Sequence, residues 1–155
     1  MKPLASGAVA GLAGTTVMTG AMLLTKKAGM VPGELEPKEI ASNFEEKLGV
    51  RDSLPEPAFE VSWVMLHFGY GTLSGLAYAL AQKMTLDVER PVSVGPLFGV
   101  LLWAFGYCVW LPVCRLYPLP TRVPKRKVAA NILTHVVYGA ATAAAHRVFG
   151  SDSDS

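Results

Sequence analysis

Pro91-Val-Ser-Val-Gly-Pro-Leu-Phe-Gly-Val-Leu-Leu-Trp-Ala-Phe-Gly-Tyr-Cys-Val-Trp-Leu-Pro-Val-Cys114 runs for 24 residues without a Lys, Arg, Asp or Glu. A hydrocarbon core about 30 Å thick takes about 20 apolar residues at a helical rise of about 1.5 Å each, so this stretch reads as a membrane span. Pro3–Thr25, Val61–Gln82 and Val128–His146 are equally free of charge, over 23, 22 and 19 residues. All 14 basic and 12 acidic side chains of the 155-residue chain therefore lie between and beyond these stretches. A soluble domain interleaves charge with apolar residues every few positions on its surface helices, which excludes that class here. The same pattern excludes a disordered chain, a disulfide-stapled secreted fold and a sizeable water-soluble catalytic domain. The expectation is an all-α polytopic membrane protein whose four transmembrane helices run over about 4–25, 61–82, 92–114 and 128–146. Lys26-Lys27 closes the first run with charge rather than with a cleavage site, so it reads as a retained helix.

Orientation follows from the cations that flank the spans. Lys2, Lys83, Arg90 and Arg147 lie on one side; Lys26, Lys27, Lys38, Lys47, Arg51, Arg115, Arg122, Lys125, Arg126 and Lys127 lie on the other. The imbalance puts loops 26–60 and 115–127 in the cytoplasm and both termini outside. In the first of these loops, residues 37–48 read as a short amphipathic helix. Pro37 suits its first position, Ile40, Phe44 and Leu48 recur every four residues, and Gly49 suits its end. The acidic polar face favours a cap on the bundle over a helix lying on anionic lipid. In the second loop Pro112, Pro118, Pro120 and Pro124 forbid a continuous helix, and Lys125-Arg126-Lys127 suits anionic headgroups. So short a basic cluster beside a span is a topology anchor, not a nucleic-acid site. Ser151-Asp-Ser-Asp-Ser155 reads as a disordered tail.

The chain also repeats itself. His67-Phe-Gly-Tyr70-Gly71 and His135-Val-Val-Tyr138-Gly139 both read His-x-x-Tyr-Gly, each with a small residue four positions on, Gly75 and Ala143. The pairs Gly7/Gly11 and Gly95/Gly99 match more weakly. The pattern reads as two tandem helical hairpins, the first carrying the loop helix as an insertion, related by an axis along the membrane normal. It puts His67 and His135 at equal depth, about 10 Å inside the cytoplasmic boundary. Asn131, His135, Tyr138, Thr142 and His146 share one face of the last span, while His67, Gly71, Ser74 and Tyr78 share one face of the second. Polar groups in hydrocarbon are costly unless they turn inward, so these faces should meet inside the bundle. Gly7, Gly11, Gly71, Gly75, Gly95, Gly99 and Gly139 would let the backbones approach.

Three readings of the polar faces stand side by side. They could serve packing alone, through interhelical hydrogen bonds. His67, Tyr70, Asn131, His135 and Tyr138 could form a pH-sensing set, with imidazoles that ordinarily titrate near about 6.5. Or the two histidines could ligate a haem, for which glycines beside both rings leave little room. Trp103 and Tyr107 read as core; Trp63, Trp110 and Tyr117 read as interfacial aromatics. No phosphate loop, zinc motif, nucleophile elbow or Cys-x-x-Cys occurs, and no acidic residue falls inside a span. The expectation is a protein that is not an enzyme, with no catalytic residue, metal or cofactor.

Gly7-Ala-Val-Ala-Gly-Leu-Ala-Gly-Thr-Thr16, His67-Phe-Gly-Tyr-Gly71, Gly95-Pro-Leu-Phe-Gly-Val-Leu-Leu-Trp103 and Leu133-Thr-His-Val-Val-Tyr-Gly139 together resemble the YagU-like family of bacterial inner-membrane proteins. The resemblance covers the four spans, about half the chain, and omits 28–60. It implies a multi-pass protein of the bacterial cytoplasmic membrane and transfers no active site, because that family's function is itself unknown. The resulting expectation is a non-enzymatic structural or stress-related membrane component whose partners are the bilayer and its anionic headgroups. The competing class is a subunit of a small-solute transporter or channel. Four helices packed through glycines leave little room for a central pathway, so transport would require a homo-oligomer.

Overall fold

A computed structural model describes residues 3–84 and 94–150. Lys2, Arg90, the first residues of the third expected span and the 151–155 tail lie outside the described residues. Within them the chain is helical, with no strand. Helix α1 spans Pro3–Lys27, α2 Glu36–Lys47, α3 Glu56–Met84, α4 Val94–Val113 and α5 Lys125–Gly150. Helices α1, α4 and α5 are long and apolar enough to cross a membrane. Helix α3 is the longest at 29 residues. His67, three Gly, Thr72, Ser74 and two Tyr dilute its hydropathy, which keeps it out of that group.

Helix ends follow from local chemistry. Gly29 and Gly49 take the left-handed conformation (φ 73° and 72°), and in each case the next residue's N–H bonds a carbonyl five positions back, Met30 to Thr25 and Val50 to Glu45. Glycine reaches that conformation without a Cβ clash, so α1 and α2 stop there. Inside α4, residues Gly106–Trp110 form one π turn, with the Leu111 N–H bonded to the Gly106 carbonyl. Pro112 follows at once; it has no N–H to give, and its ring displaces the carbonyl four residues back.

Helices α1 and α5 occupy the middle, with α3 packed on α1 and α4 on α5. Glycines make the two outer seams. A Cβ on Gly7 would stand 2.6 Å from that of Ala79, and one on Gly11 2.5 Å from the Gly71 carbonyl oxygen. On the other side, a Cβ on Gly95 would stand 2.5 Å from the Gly139 oxygen and 2.6 Å from the Cβ of Ala143. The expected pairing of Gly7 with Gly95 is thus one turn out of register. Gly11 on Gly71 is the contact that corresponds to Gly95 on Gly139, because positions 71 and 139 hold the same place in His-x-x-Tyr-Gly.

Large apolar side chains point away from the bundle on every long helix: Leu12, Leu23 and Leu24 on α1, Met65, Leu73 and Leu80 on α3, Leu97, Leu101 and Phe105 on α4, Leu133 on α5. The interior, by contrast, holds Ser6, Thr15, Ser74, Asn131, Thr134, His135 and Thr142, all buried. These polar residues lie beside a buried apolar core that includes Met18, Met22, Tyr107, Leu111 and Tyr138, while the outer faces are apolar to an extent unlike a soluble domain.

Candidate intramembrane cavity

The loop helix forms within one residue of its expected position, with Ile40 half-buried against the core and Leu48 left outside. Glu36, Ala41 and Glu45 are its buried residues, while Phe44 is 37% and Leu48 60% exposed. Polar ties hold it across the end of the bundle. Lys38 pairs with Glu60 of α3, which also accepts the Trp63 indole N–H at 2.7 Å. Ser62 donates to Glu45. The Asn43 amide donates to the Leu116 carbonyl at 2.9 Å, and Lys47 to that of Cys114 at 2.6 Å. Side-chain bonding to Lys38 and Trp63 holds the Glu60 carboxyl below the usual carboxylate range.

Under this lid lies a cavity of about 250 Å³. Thr15, Met18 and Met22 of α1 and Asn131, Thr134, His135 and Tyr138 of α5 form its floor. Its walls are Leu66, His67 and Tyr70 of α3 and Leu102, Tyr107 and Trp110 of α4, and α2 covers it with Pro37, Ile40, Ala41 and Phe44. All five residues singled out from the sequence, His67, Tyr70, Asn131, His135 and Tyr138, therefore line one space. The π turn contributes to it as well: Gly106, Tyr107 and Trp110, all within that turn, line the cavity.

Hydrogen bonds assign both imidazoles. Thr19 Oγ1 gives its proton to the Thr15 carbonyl at 2.8 Å, so it accepts from His67 Nε2 at 3.2 Å. His135 Nδ1 donates to the Asn131 carbonyl at 2.8 Å, and Tyr107 meets the same ring edge-on, centroids 5.6 Å apart. In each neutral ring the second nitrogen, Nδ1 of His67 and Nε2 of His135, keeps a lone pair with no partner among the described residues. The Asn131 Oδ1 is buried and unpaired too. Tyr138, fully buried, donates to the Gly71 carbonyl at 2.7 Å and closes the far end of the space onto α3.

A second polar cluster adjoins the cavity at the lid. Lys125 and Arg126 are exposed. Lys127, grouped with them in the sequence, is buried instead. It is 5% exposed, pairs with Glu39 at 2.8 Å and donates to the Glu34 carbonyl at 3.1 Å. Glu36 lies close enough to feel its charge, with its own carboxyl buried and one oxygen unpartnered. Tyr117, expected at the membrane surface, is likewise buried, edge-on to Tyr107 at 5.4 Å. Trp110, expected among the interfacial aromatics, lines the cavity and faces Tyr70 across the gap between α3 and α4, centroids 5.9 Å apart.

Burial is the main force on Glu36 and raises its carboxyl above its ordinary 4.5; its own backbone hydrogen bond and Lys127 only partly oppose this. The folded state thus binds a proton that the unfolded chain has released, so the stability this site allows is present below about pH 4.5 and lost as pH rises through the raised value. Glu36→Gln should therefore raise the melting temperature at about pH 7 and flatten its dependence on pH above about 4.5. Thermal unfolding of both proteins across that window checks it, and a variant less stable than wild type throughout would refute it.

Thr15, Met18 and Met22 were not anticipated, nor that the capping helix would close a cavity with Pro37, Ile40, Ala41 and Phe44. Only the spacing of Thr15, one turn beyond Gly11, carried a signal for them. No group of three or more His, Cys, Asp or Glu able to hold a metal occurs among the described residues. His146 stands apart from the cavity, with Ser6 Oγ at 3.3 Å from its Nδ1 and Tyr78 edge-on to it. Neither a curated protein nor a solved structure matches the chain. A family profile matches residues 1–155, its whole length, and on that match the chain belongs to DUF6789, a family of unknown function.

Proposed function

We propose that this is a non-enzymatic, four-span membrane protein built from two tandem hairpins, which holds a small membrane-soluble molecule in the cavity beneath α2. The observation that carries the reading is the cavity itself: an apolar space inside the bundle lined by a few polar side chains, His67, Asn131 and His135 among them. Sites for small molecules have that composition. The α3 helix is the fourth span in this reading. It lies along α1 through Gly7, Gly11, Gly71 and Gly75, and it turns Val61, Met65, Leu73, Leu80 and Met84 outward, where water would make them costly. The matched glycine contacts of α1 with α3 and of α4 with α5 support the duplication.

Loops 26–60 and 115–127 meet at one end of the bundle through Asn43, Lys47 and Lys127, which accords with their common cytoplasmic side. The bacterial inner membrane is proposed on the YagU-like resemblance alone. Closed glycine seams and the Tyr138–Gly71 bond at the cavity's far end favour binding over conduction by a channel subunit. Haem is a poor occupant: a cavity of about 150 Å³ is filled by one benzene, and 250 Å³ falls short of a four-ring macrocycle.

Durene, tetramethylbenzene without any polar group, tests the cavity. Purified protein in detergent should melt at a higher temperature in its presence, with a rise that follows ligand concentration. Leu102→Trp, which fills the space from the α4 wall, should abolish that rise. An absent shift in wild type, or an equal shift in the filled variant, would contradict the reading.

A further inference from the structure

Resting on that reading of the cavity, we infer that its occupant is a long-chain carboxylic acid, whose carboxylate meets Lys47 and Arg115 and whose chain enters the space beneath α2. The mouth of the cavity gives the route. Helix α1 packs closely on α3 and α5, and α4 on α5, but α3 and α4 do not pack on each other in that way. Tyr70 and Trp110 cross the gap between them as side chains. Phe44, Leu66 and Tyr70 are the exposed large residues of the lining. A rim of that composition, between two spans, admits a chain dissolved in hydrocarbon. The walls hold donors and acceptors alike, Tyr70, Tyr107 and the two histidines among them, so they set no polar pattern for the ligand. Charge beside the mouth does the selecting.

Lys47 ends α2, one turn beyond Phe44, and Arg115 lies just past the end of α4, little more than a turn beyond Trp110. A turn rises about 5.4 Å, so both residues stand close to the mouth. They also meet: Lys47 Nζ donates to the Cys114 carbonyl at 2.6 Å, and Arg115 is the next residue. Neither pairs with a carboxylate among the described residues. The two carboxylates preceding Lys47 are engaged elsewhere, Glu45 with Ser62 and Glu46 with Ser42. Cations gathered at one corner repel unless an anion joins them. The backbone of Arg115 is an independent observation. Its φ is 54°, the one left-handed value outside glycine among the described residues. Helices α1 and α2 end in that conformation on Gly29 and Gly49, which have no Cβ to clash. After α4 the same cap forms on Arg115, with the Leu116 N–H bonded to the Leu111 carbonyl at 2.8 Å. An arginine where glycine is favoured points to a use for its guanidinium.

These features select a head and a tail. A carboxylate can accept charge-assisted hydrogen bonds from both cations at once. A cationic head would find no partner inside, since no Asp or Glu lines the cavity. About 150 Å³ holds one benzene, so a space of about 250 Å³ takes the end of one chain rather than two, which favours a single-chain acid over a phospholipid. Binding alone is proposed, with no bond made or broken.

Two probes, 12-bromododecanoic acid and 12-bromododecanol, share a chain tipped with a bromine that quenches tryptophan and differ only in the head. Full-length protein carrying Trp63→Phe and Trp103→Phe keeps Trp110 at the mouth as its one fluorophore. In phosphatidylcholine nanodiscs at about pH 9, where the carboxylate is ionised, the acid should quench Trp110 at a mole fraction at least about tenfold below that of the alcohol. Lys47→Gln with Arg115→Gly should bring the acid to the level of the alcohol and leave the alcohol unchanged. Arg115→Gly alone should weaken the acid while the unliganded protein melts no lower than wild type, because glycine suits that φ. Equal quenching by both probes in wild type, or an acid preference that survives the double substitution, would overturn the proposal. So would phosphatidylglycerol, at the acid's own mole fraction, if it returned the acid to the level of the alcohol, since the site would then belong to a phospholipid. A durene shift without any acid preference would strike this proposal alone. Failure of durene and of both chains would remove the cavity reading as well.

Discussion

Gly139→Ala and Gly75→Ala should each destabilise the folded bundle strongly, although alanine is ordinarily the better helix former. A Cβ at position 139 would lie 2.7 Å from the Gly99 nitrogen and 2.9 Å from the Gly95 carbonyl carbon. One at position 75 would lie 2.5 Å from the Gly7 oxygen and 2.6 Å from the Gly11 nitrogen. These neighbours are backbone, so no rotamer change can relieve the clash; the helices must separate along the seam and lose the contacts that hold each hairpin. Overpacking of this kind costs about 1–3 kcal/mol, and the absence of any side chain that can yield puts both variants at the upper end. Gly20 and Gly69 are the controls, for nothing lies within 4 Å of a Cβ at either. Alanine there should be neutral or stabilising by about 0.5–1 kcal/mol. Apparent melting temperatures of the four variants in one detergent check the contrast, and four indistinguishable values would contradict the seams.

Lys127→Met should cost roughly 3 kcal/mol at neutral pH. The substitution keeps an unbranched stem out to the ε carbon but leaves the Glu39 carboxylate, the Glu34 carbonyl and the buried Glu36 without their cation. Glu39 is one-third exposed on its side chain, so water recovers part of that loss, and the figure stands at the low end for a broken buried pair. Acid should lessen the damage. Without Lys127, Glu36 rises further above 4.5 and takes up a proton in the folded state before the unfolded chain does. Stability of the variant relative to wild type should thus recover as pH falls from about 7 towards about 4.5. Adding Glu36→Gln to Lys127→Met should restore part of the loss at neutral pH. A variant whose deficit is the same at every pH would show that Lys127 acts through packing of its stem alone.

The helices, the loop helix and the meeting of polar faces were legible because they depend on period and on charge exclusion. His67 and His135, with Tyr138 and Asn131, stood out for being polar within runs that have no business being polar unless they turn inward. Three things were not legible. The seam register differs by a turn, because Gly11 and Thr15 carry the close contacts that Gly95 and Gly99 carry in the other hairpin, and small residues spaced by four cannot say which turn is used. Lys127 looked like its exposed neighbours Lys125 and Arg126; only the three-dimensional return of Glu36 and Glu39 over α5 draws it in. The lid's rotation buries Glu36, Ala41 and Glu45 and leaves Leu48 exposed while Ile40 and Phe44 face the cavity. Lys38–Glu60, Ser62–Glu45 and the Cys114 and Leu116 carbonyls hold that rotation, and those partners are distant in sequence.

Spin labels at positions 67 and 135 in bilayers, on a background of Cys108→Ser and Cys114→Ser, test the arrangement most directly. Two labels sharing one buried space should both be shielded from a water-soluble relaxing agent, show the same depth from the cytoplasmic surface, and broaden each other's spectra by dipolar coupling. Labels found at different depths, open to water, or with spectra equal to the sum of the singly labelled proteins would contradict the account.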